Sequence, residues 1–246
     1  MSELLGRLLA SATLDGPVSD LRVGTHWTLV AVDTAKGRRA GLASTQIAHD
    51  QEHGVAAVRG AGELLGRPAR ELAEWVASDN LTERSIGFAA LNALIEVDEA
   101  RCKELNAEQL ILERGAGKHV AIVGHFPFTE RVRAAAGQLS VLELNPMPGD
   151  LPASAAPDVI PQADVVAITG MTLVNGTFES LAALPRPGAF VLLLGATTPL
   201  TSALFDYGVD AISGTVVEDI ALAAAAVSQG SSFRQVKGKR LVTMLK

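Results

Sequence analysis

The chain has 246 residues, of which 48% are hydrophobic, 20% charged and 4% aromatic. The hydrophobic share excludes an intrinsically disordered chain, because such chains carry too few apolar residues to build a core. The net charge is −6 and there is no cluster of basic or stacking aromatic residues, which argues against nucleic-acid binding.

The chain contains a single cysteine, Cys102. One thiol excludes an internal disulfide and any zinc or iron–sulfur site built from several cysteines. The start of the chain lacks the pattern of a signal peptide, and the apolar runs are much shorter than a bilayer span. We therefore expect a cytoplasmic protein that has no contact with a membrane.

The first part of the sequence predicts an α+β unit. Apolar residues recur at helical spacing near the start and again after Pro68, and a strand-like stretch turns back at Lys36-Gly37. Asp79 or Thr82 is expected to cap the last helix. The predicted elements are a helix over 2–12, strands over 21–32 and 39–43, a helix over 68–77, and a last helix that begins after its cap and carries Ile86 and Leu94.

The second part alternates short apolar runs with helical windows, which predicts a parallel, Rossmann-like sheet joined by crossover helices. The predicted strands cover 119–124, 140–144, 163–169, 190–195 and 209–213, and the predicted helices cover 129–138, 177–184, 199–206 and 215–228.

A charged stretch separates the two parts over residues 97–106. We expect a domain boundary between about 97 and 117, because the pattern changes there from antiparallel to alternating. The predicted domains are 1–104 and 105–246.

Polar residues and glycines follow each predicted strand of the second part. The carboxyl ends of parallel strands meet at one edge of a sheet, so these residues are predicted to line a common cleft. Asn92 is included because it is the one polar residue in an otherwise small and apolar helical run. The candidate ligand-binding residues are Asn92, His125, Glu143, Asn145, Thr169, Thr172, Asn175 and Thr197.

Each candidate also has a structural interpretation, because turns and helix caps favour the same residue types. Asn175, for example, is placed to cap a helix that begins near Thr177.

Glu143 lies 19 residues beyond Gly124, the distance at which an acidic residue binds a nucleotide ribose. A nucleotide- or adenosyl-dependent enzyme is therefore one alternative. The loop Gly124-His125-Phe126-Pro127 argues against it, because bulky residues replace the glycines that allow a pyrophosphate to approach the backbone.

Metal binding has two candidate sets of ligands. His125 and Glu143 form one, although His125 is equally explained as an acid/base or as a structural histidine. His49 and His53 form a weaker set: residues 49–53 match H-x-x-E-H, but they lack a strong helical period, and a solvated loop explains them better.

Several motifs resemble a prokaryotic family associated with heavy-metal chelation. They are Ile122–Pro127, Glu143–Pro146 with Gly149–Pro152, and Ala163–Val166 with Thr169–Thr177; Gly41–Ala43 and Ser85–Ala93 resemble its companion N-terminal domain. The resemblance implies an N-terminal domain similar to the enolase N-terminal fold, a Rossmann-like C-terminal domain and an active site in the cleft between them.

One cysteine and four methionines offer few ligands for a soft metal. A His/carboxylate site, or a small molecule that itself chelates the metal, fits the composition better. Three hypotheses follow: a binder or enzyme for a metal-chelate type of small molecule, a nucleotide-dependent enzyme, and a non-catalytic ligand sensor. The sequence shows no nucleophile–base pair that would distinguish an enzyme from a binding protein. It is also compatible with a homo-oligomer.

Overall fold

The structure, a computed structural model, describes residues 1–47, 54 and 56–246. The candidate metal ligands His49 and His53 lie outside the described residues.

The helices are α1 (Glu3–Ala10), α2 (Ala69–Ala73), α3 (Leu81–Leu94), α4 (Ala107–Gly115), α5 (Thr129–Ala135), α6 (Ala156–Val159), α7 (Met171–Val174), α8 (Phe178–Ala182) and α9 (Ile220–Ser228). The strands are β1 (Val18–Val23), β2 (Trp27–Thr34), β3 (Gly37–Ser44), β4 (Cys102–Lys103), β5 (His119–Val123), β6 (Gln138–Glu143), β7 (Leu151–Pro152), β8 (Val165–Thr169), β9 (Phe190–Leu194), β10 (Ala211–Val217) and β11 (Lys239–Leu245). Short 3-10 helices cover Glu74–Ala77, Glu99–Arg101, Ala153–Ala155, Ile160–Gln162 and Ser202–Tyr207.

The chain divides into two compact units, and neither is a continuous segment. Unit 1 comprises residues 1–98, 196–201 and 214–240, and unit 2 comprises 99–195, 202–213 and 241–246. The first division follows residue 98. Residues 196–201 and 214–240, which lie within the predicted second domain of 105–246, cluster with unit 1.

Unit 1 is built around an antiparallel sheet in the order β1-β2-β3. On one face, Leu29 and Leu42 pack against Ala223 and Val227 of α9 in a shared apolar cluster. On the other face, a Cβ at Gly41 would meet the backbone of α3, so that helix packs directly on β3. The sheet therefore needs a helix from the end of the chain to cover one of its faces.

Unit 2 contains the parallel strands of an eight-stranded sheet with the order β4-β11-β10-β9-β8-β5-β6-β7. From β7 to β10 the neighbouring strands pair in parallel. Numbered from β5 along the chain, these six strands take the order 3-2-1-4-5-6 of dinucleotide-binding folds. The order reverses between β5 and β8, and in such sheets a crevice for ligands opens at that point.

The predicted fold class is confirmed: a Rossmann-like parallel sheet follows a smaller α+β unit with its own antiparallel sheet. Strands β5, β8 and β9 end within a residue of their predicted ends, because buried apolar runs that stop at a polar residue or glycine are strong signals.

Several element ends differ from the prediction. Asn80, rather than Asp79 or Thr82, caps α3, since its side chain accepts from the backbone of Thr82 and Glu83. The helix expected over 199–206 is a 3-10 helix over Ser202–Tyr207. Strand β10 continues to Val217, and α9 begins only after its cap, Asp219.

None of the helices among the described residues is both long and apolar enough to cross a membrane.

Candidate functional site

A cavity of about 430 Å³ opens at the carboxyl ends of β5, β6 and β8, where the strand order reverses. We call it the switch-point cavity. Its polar lining includes five of the candidates from the sequence, and every lining residue belongs to unit 2. The five are His125, Glu143, Thr169, Thr172 and Asn175.

The walls between these polar groups are largely apolar. The end of β6, the segment around α6 and the end of α8 supply them. The apolar lining includes Leu142, Leu144, Ala156, Pro157, Met171, Leu181 and Leu184. An apolar cavity with a few converging polar groups is the usual form of a small-molecule site.

The loop after β5 brings its backbone close to β8. Gly124 has φ +103°, and a Cβ there would lie 3.0 Å from the Thr169 methyl group. Glycine is therefore required at this position for both conformation and space.

Glu143 ends β6 and lines the cavity next to this loop. One of its carboxylate oxygens, Oε2, accepts a hydrogen bond of 3.0 Å from the Leu144 N–H. This bond holds the carboxylate against its own backbone and leaves Oε1 for a ligand.

Asn175 lies in a turn between α7 and α8. Its Oδ1 accepts from the N–H of Thr177 at 3.1 Å and from the Thr177 hydroxyl at 2.7 Å. Thr177 itself, not Asn175, is the residue before α8. The Thr177 N–H can only donate, so the atom that it contacts must be the amide oxygen of Asn175. The Asn175 amide nitrogen is therefore the group left to contact a ligand.

His125 lies beside a carboxylate that is not among the candidate residues from the sequence. Its Nε2 is 4.0 Å from Oδ1 of Asp150, whose side chain is only 2% exposed. The other Asp150 oxygen accepts from the Met147 N–H at 3.0 Å. The available signal was the Gly149-Asp150 turn just after Pro146, which places an acid close to the loop that carries His125.

The remaining candidates lie elsewhere. Asn145 is exposed and is not part of the cavity lining. Thr197 belongs to unit 1, where its buried hydroxyl accepts from the Ser44 N–H and donates to the Ser44 hydroxyl. Asn92 also belongs to unit 1 and lines a different cavity.

Ligands for a metal ion are sparse at the switch-point cavity. Within the part of the chain that the structure describes, no group of three or more His, Cys, Asp or Glu side chains could hold a metal ion. Among the described lining residues, His125 and Glu143 could each donate one nitrogen or oxygen ligand, and Met171 could donate a thioether sulfur.

Two family models match the chain. The model of DUF364, described as "Putative heavy-metal chelation", matches residues 106–246, and that of DUF4213, with the same description, matches residues 7–95.

Relatives and solved structures match over nearly the whole chain. An uncharacterised protein of Methanocaldococcus jannaschii is 26% identical over 241 residues, which cover 94% of this chain and 90% of the relative. A crystal structure of a DUF364 protein of unknown function from Desulfitobacterium hafniense has a TM-score of 0.82 at 29% identity, covering 99% of this chain and 97% of that one. A second, from Pyrococcus horikoshii, has a TM-score of 0.82 at 22% identity, covers 99% of this chain and 100% of that one, and supports the fold alone.

Proposed function

The chain belongs to the DUF364 family, and on that premise we propose that it binds a small organic molecule in the switch-point cavity. The observation that carries the proposal is the position of this cavity, about 430 Å³ in volume, at the point where the strand order reverses. Its volume lies within the range of about 300–1,000 Å³ that is common for small-molecule sites.

The lining favours a ligand with an apolar body and a polar edge. Leucine and methionine side chains would contact the body, while Thr169, Asn175 and Glu143 offer hydrogen bonds. Glu143 accepts hydrogen bonds through its carboxylate, and Asn175 donates through its amide nitrogen. The ligand therefore needs at least one hydroxyl or amine and one acceptor.

The His125–Asp150 pair extends what the site can do chemically. His125 lines the cavity, and a carboxylate oxygen of the buried Asp150 side chain lies 4.0 Å from its Nε2. Such a histidine can transfer a proton to or from a bound molecule, and it can also serve recognition alone. Turnover of a bound compound would distinguish an enzyme from a ligand sensor.

The family description connects these proteins with heavy metals, and the described residues do not fit a metal site made by protein alone. A metal ion would instead enter the cavity as part of a small chelate, with most of its ligand atoms supplied by the organic molecule. His125, as a neutral imidazole, could complete the coordination of such a chelate.

One observation favours a second candidate, an adenosyl-type ligand. Glu143 ends the second strand of a sheet with the order 3-2-1-4-5-6, the position from which an acidic residue binds ribose hydroxyls. The helix after β5 has only seven residues and follows Phe126-Pro127-Phe128, which does not suit a pyrophosphate. A nucleoside without phosphates fits better than a dinucleotide.

Thermal unfolding of the full chain tests both candidates, because a ligand that binds the native state raises Tm. The compounds are S-adenosylmethionine, adenosine, ADP, and nickel or ferric salts with and without citrate. We expect adenosyl compounds or the metal–citrate complexes to raise Tm more than ADP or the free metal salts.

Two variants locate the binding. Glu143→Gln should weaken an adenosyl ligand by at least about tenfold, because a charge-assisted hydrogen bond is lost. Glu113→Gln, on the exposed face of α4, is the matched control and should leave binding unchanged.

Ser180→Trp should block the cavity, since Ser180 is exposed and lines it, so the large ring can enter without disturbing the core. A compound that binds wild type and Ser180→Trp equally well does not occupy the switch-point cavity, and this result would overturn the proposal.

A further inference from the structure

A second cavity, of about 100 Å³, lies within unit 1. It is lined by the start of β3, the end of α3, the segment after β9 and the end of β10. We call it the unit 1 cavity. Its polar lining residues are Arg38, Arg39, Asn92, Thr198 and Thr215.

Within the described part of the chain, four buried polar atoms that lack a hydrogen-bond partner belong to residues that line this cavity. They are Nε of Arg39, Oδ1 of Asn92, and the hydroxyl oxygens of Thr198 and Thr215. An unsatisfied buried polar group destabilises a fold, so four of them on the residues around one cavity point to a bound partner that forms the missing hydrogen bonds.

Of the four residues, Thr198 gives the strongest evidence for a bound partner, because it is only 2% exposed and its hydroxyl is shielded from solvent. Its neighbour Thr197 is equally buried, but that hydroxyl is bonded to Ser44 and has a structural role. The Thr198 hydroxyl has no such role.

Asn92 is oriented by the backbone around it. Its amide nitrogen donates to the carbonyls of Leu42, Ala196 and Thr197 at 2.9, 3.3 and 3.2 Å. Because carbonyls only accept, these bonds fix the amide nitrogen and leave Oδ1 as the unpartnered acceptor. The unit 1 cavity thus offers one fixed acceptor among several donors.

The charge of the lining is positive. Arg39 and Arg38 both line the cavity, and none of the lining residues that the structure describes carries a carboxylate. Arg38 contacts Asp33 at 3.6 Å and Ser19, whereas Arg39 makes one long bond, of 3.4 Å, to the Ile95 carbonyl. The nearby carboxylate of Glu96 is paired with Lys36. The charge of Arg39 has a smaller effect on Glu96 than that of Lys36, so Arg39 is the described lining cation that is best placed to take a ligand.

We propose that the unit 1 cavity binds a small oxyanion that also carries a hydrogen-bond donor. Arg39, Thr198 and Thr215 would donate to the carboxylate or phosphate oxygens, and Asn92 Oδ1 would accept from a hydroxyl of the same molecule. A cavity of about 150 Å³ holds benzene, so this one suits a ligand of about four or five heavy atoms, such as glycolate or hydrogen phosphate.

Isothermal titration calorimetry on the full chain tests the proposal with glycolate, acetate, glycolamide and inorganic phosphate as probes. Glycolate or phosphate should bind. Acetate lacks the donor for Asn92 and glycolamide lacks the negative charge, so both should bind more weakly than glycolate. Binding of phosphate without glycolate would support the proposal and identify a phosphate group as the source of the oxyanion.

Thr198→Val is the decisive variant, because it keeps the side-chain shape and removes the unpartnered hydroxyl. Anion binding should fall by about tenfold, while Tm without ligand stays the same or rises. Thr28→Val is the control: that hydroxyl is fully buried and bonded to Thr45 at 2.9 Å, so Tm should fall and anion binding should not change.

Three results would overturn the proposal. The first is that no probe binds at millimolar concentration, which would mean that water alone forms the hydrogen bonds of the four atoms. The second is that an anion binds but is insensitive to Thr198→Val and to Arg39→Gln, in which case it is adventitious. The third is that acetate and glycolamide bind as well as glycolate, in which case the four atoms do not select the ligand. Glu143→Gln should leave anion binding unaltered, which separates this test from that of the switch-point cavity.

Discussion

Local hydrogen bonds decide which atoms of the lining side chains are available to a ligand. At the switch-point cavity, the Thr172 hydroxyl donates to the Thr169 carbonyl at 2.7 Å, so it serves the end of β8. Oδ1 of Asn175 and Oε2 of Glu143 are likewise engaged. The functional groups that remain are the Thr169 hydroxyl as a donor, the Asn175 amide nitrogen, Oε1 of Glu143 and the imidazole of His125.

Asn175→Asp tests this division of roles. Aspartate can accept the same two bonds from Thr177, so the free energy of unfolding should change by less than about 0.5 kcal/mol. The donor to the ligand is lost, so binding of a compound found by the thermal screen should weaken by about tenfold. Chemical denaturation and calorimetry measure the two quantities.

Asn175→Ala is the comparison for stability, because it removes the acceptor for Thr177 and should cost about 1 kcal/mol. Unchanged ligand binding by Asn175→Asp would limit Asn175 to its role in the turn.

A pH-dependent contribution to stability is expected from Glu96, at the end of α3. The Lys36 ammonium hydrogen-bonds and attracts its carboxylate, and this lowers the pKa of Glu96, with a smaller effect from Arg39. Because the carboxyl ionises more readily in the folded chain, the pair stabilises the fold above the usual pKa of Glu96. The stabilisation is lost as the pH falls through the lowered value.

Glu96→Gln should therefore lower Tm slightly at pH 7 and have less effect at acid pH, where wild type also loses the pair. Added salt should reduce the difference at pH 7, because both side chains are exposed. Tm measured from pH 7 to pH 3 checks the trend, and a difference that grows on acidification would contradict it.

At the scale of elements, the close approach of α3 to β3 is the most demanding contact in unit 1. A Cβ on Gly41 would overlap the Ala89 carbonyl and lie 2.5 Å from the Ala93 nitrogen. These two atoms belong to the backbone of α3 and the third neighbour is the Cβ of Asn92, so none of the three can move aside by a change of rotamer.

Gly41→Ala should therefore destabilise the protein by more than about 3 kcal/mol, through overpacking against the backbone. Gly6→Ala is the matched change in an open position: it lies in α1, where the nearest atom to an added Cβ is 3.9 Å away. That variant should gain about 0.5–1 kcal/mol from helix propensity. Urea unfolding of both proteins measures the contrast, and equal effects would disprove this packing.

How well each element could be predicted depended on the strength of its local signal. The runs at 119–123, 165–169 and 190–194 are apolar and bounded, and their strands formed where expected. Residues 215–217 are Thr-Val-Val, whose β-branched side chains extend β10, although a helical window was predicted from 215.

Some of the candidate site could also be predicted, since the carboxyl ends of parallel strands meet at one edge and bring His125, Glu143 and Thr169 together. Thr197 could not be placed in this way, because its partner Ser44 is distant in the sequence. The position of Asp150 beside His125 depends on the geometry of a loop, which the sequence pattern does not predict. A cleft between the two domains stays a prediction, and so does the similarity of the first domain to the enolase N-terminal fold.

At the scale of the whole molecule, unit 1 depends on segments far apart in the chain. The apolar face of its sheet that carries Leu29 and Leu42 is covered by residues of α9, and Ala196 and Val236 complete the same cluster. The alanine-rich sequence of α9 gave no indication of which sheet it would cover, because its apolar surface suits either one.

A fragment of residues 1–98 should therefore not fold independently, since it keeps the sheet and α3 but leaves the face beneath α9 open to water. We expect poor dispersion in its amide NMR spectrum and no cooperative unfolding transition. A well-dispersed spectrum with a sharp transition would contradict the need for α9.

The interleaving of the two units constrains how the protein forms during translation. Unit 1 lacks its last segment until residue 240 has emerged from the ribosome, and unit 2 closes only with residues 241–246. At about 5–20 residues per second, the nascent chain spends on the order of ten seconds or more with both units incomplete and apolar sheet faces exposed. Chaperone dependence during synthesis, rather than domain-by-domain folding from the N-terminus, is the expected consequence of this arrangement.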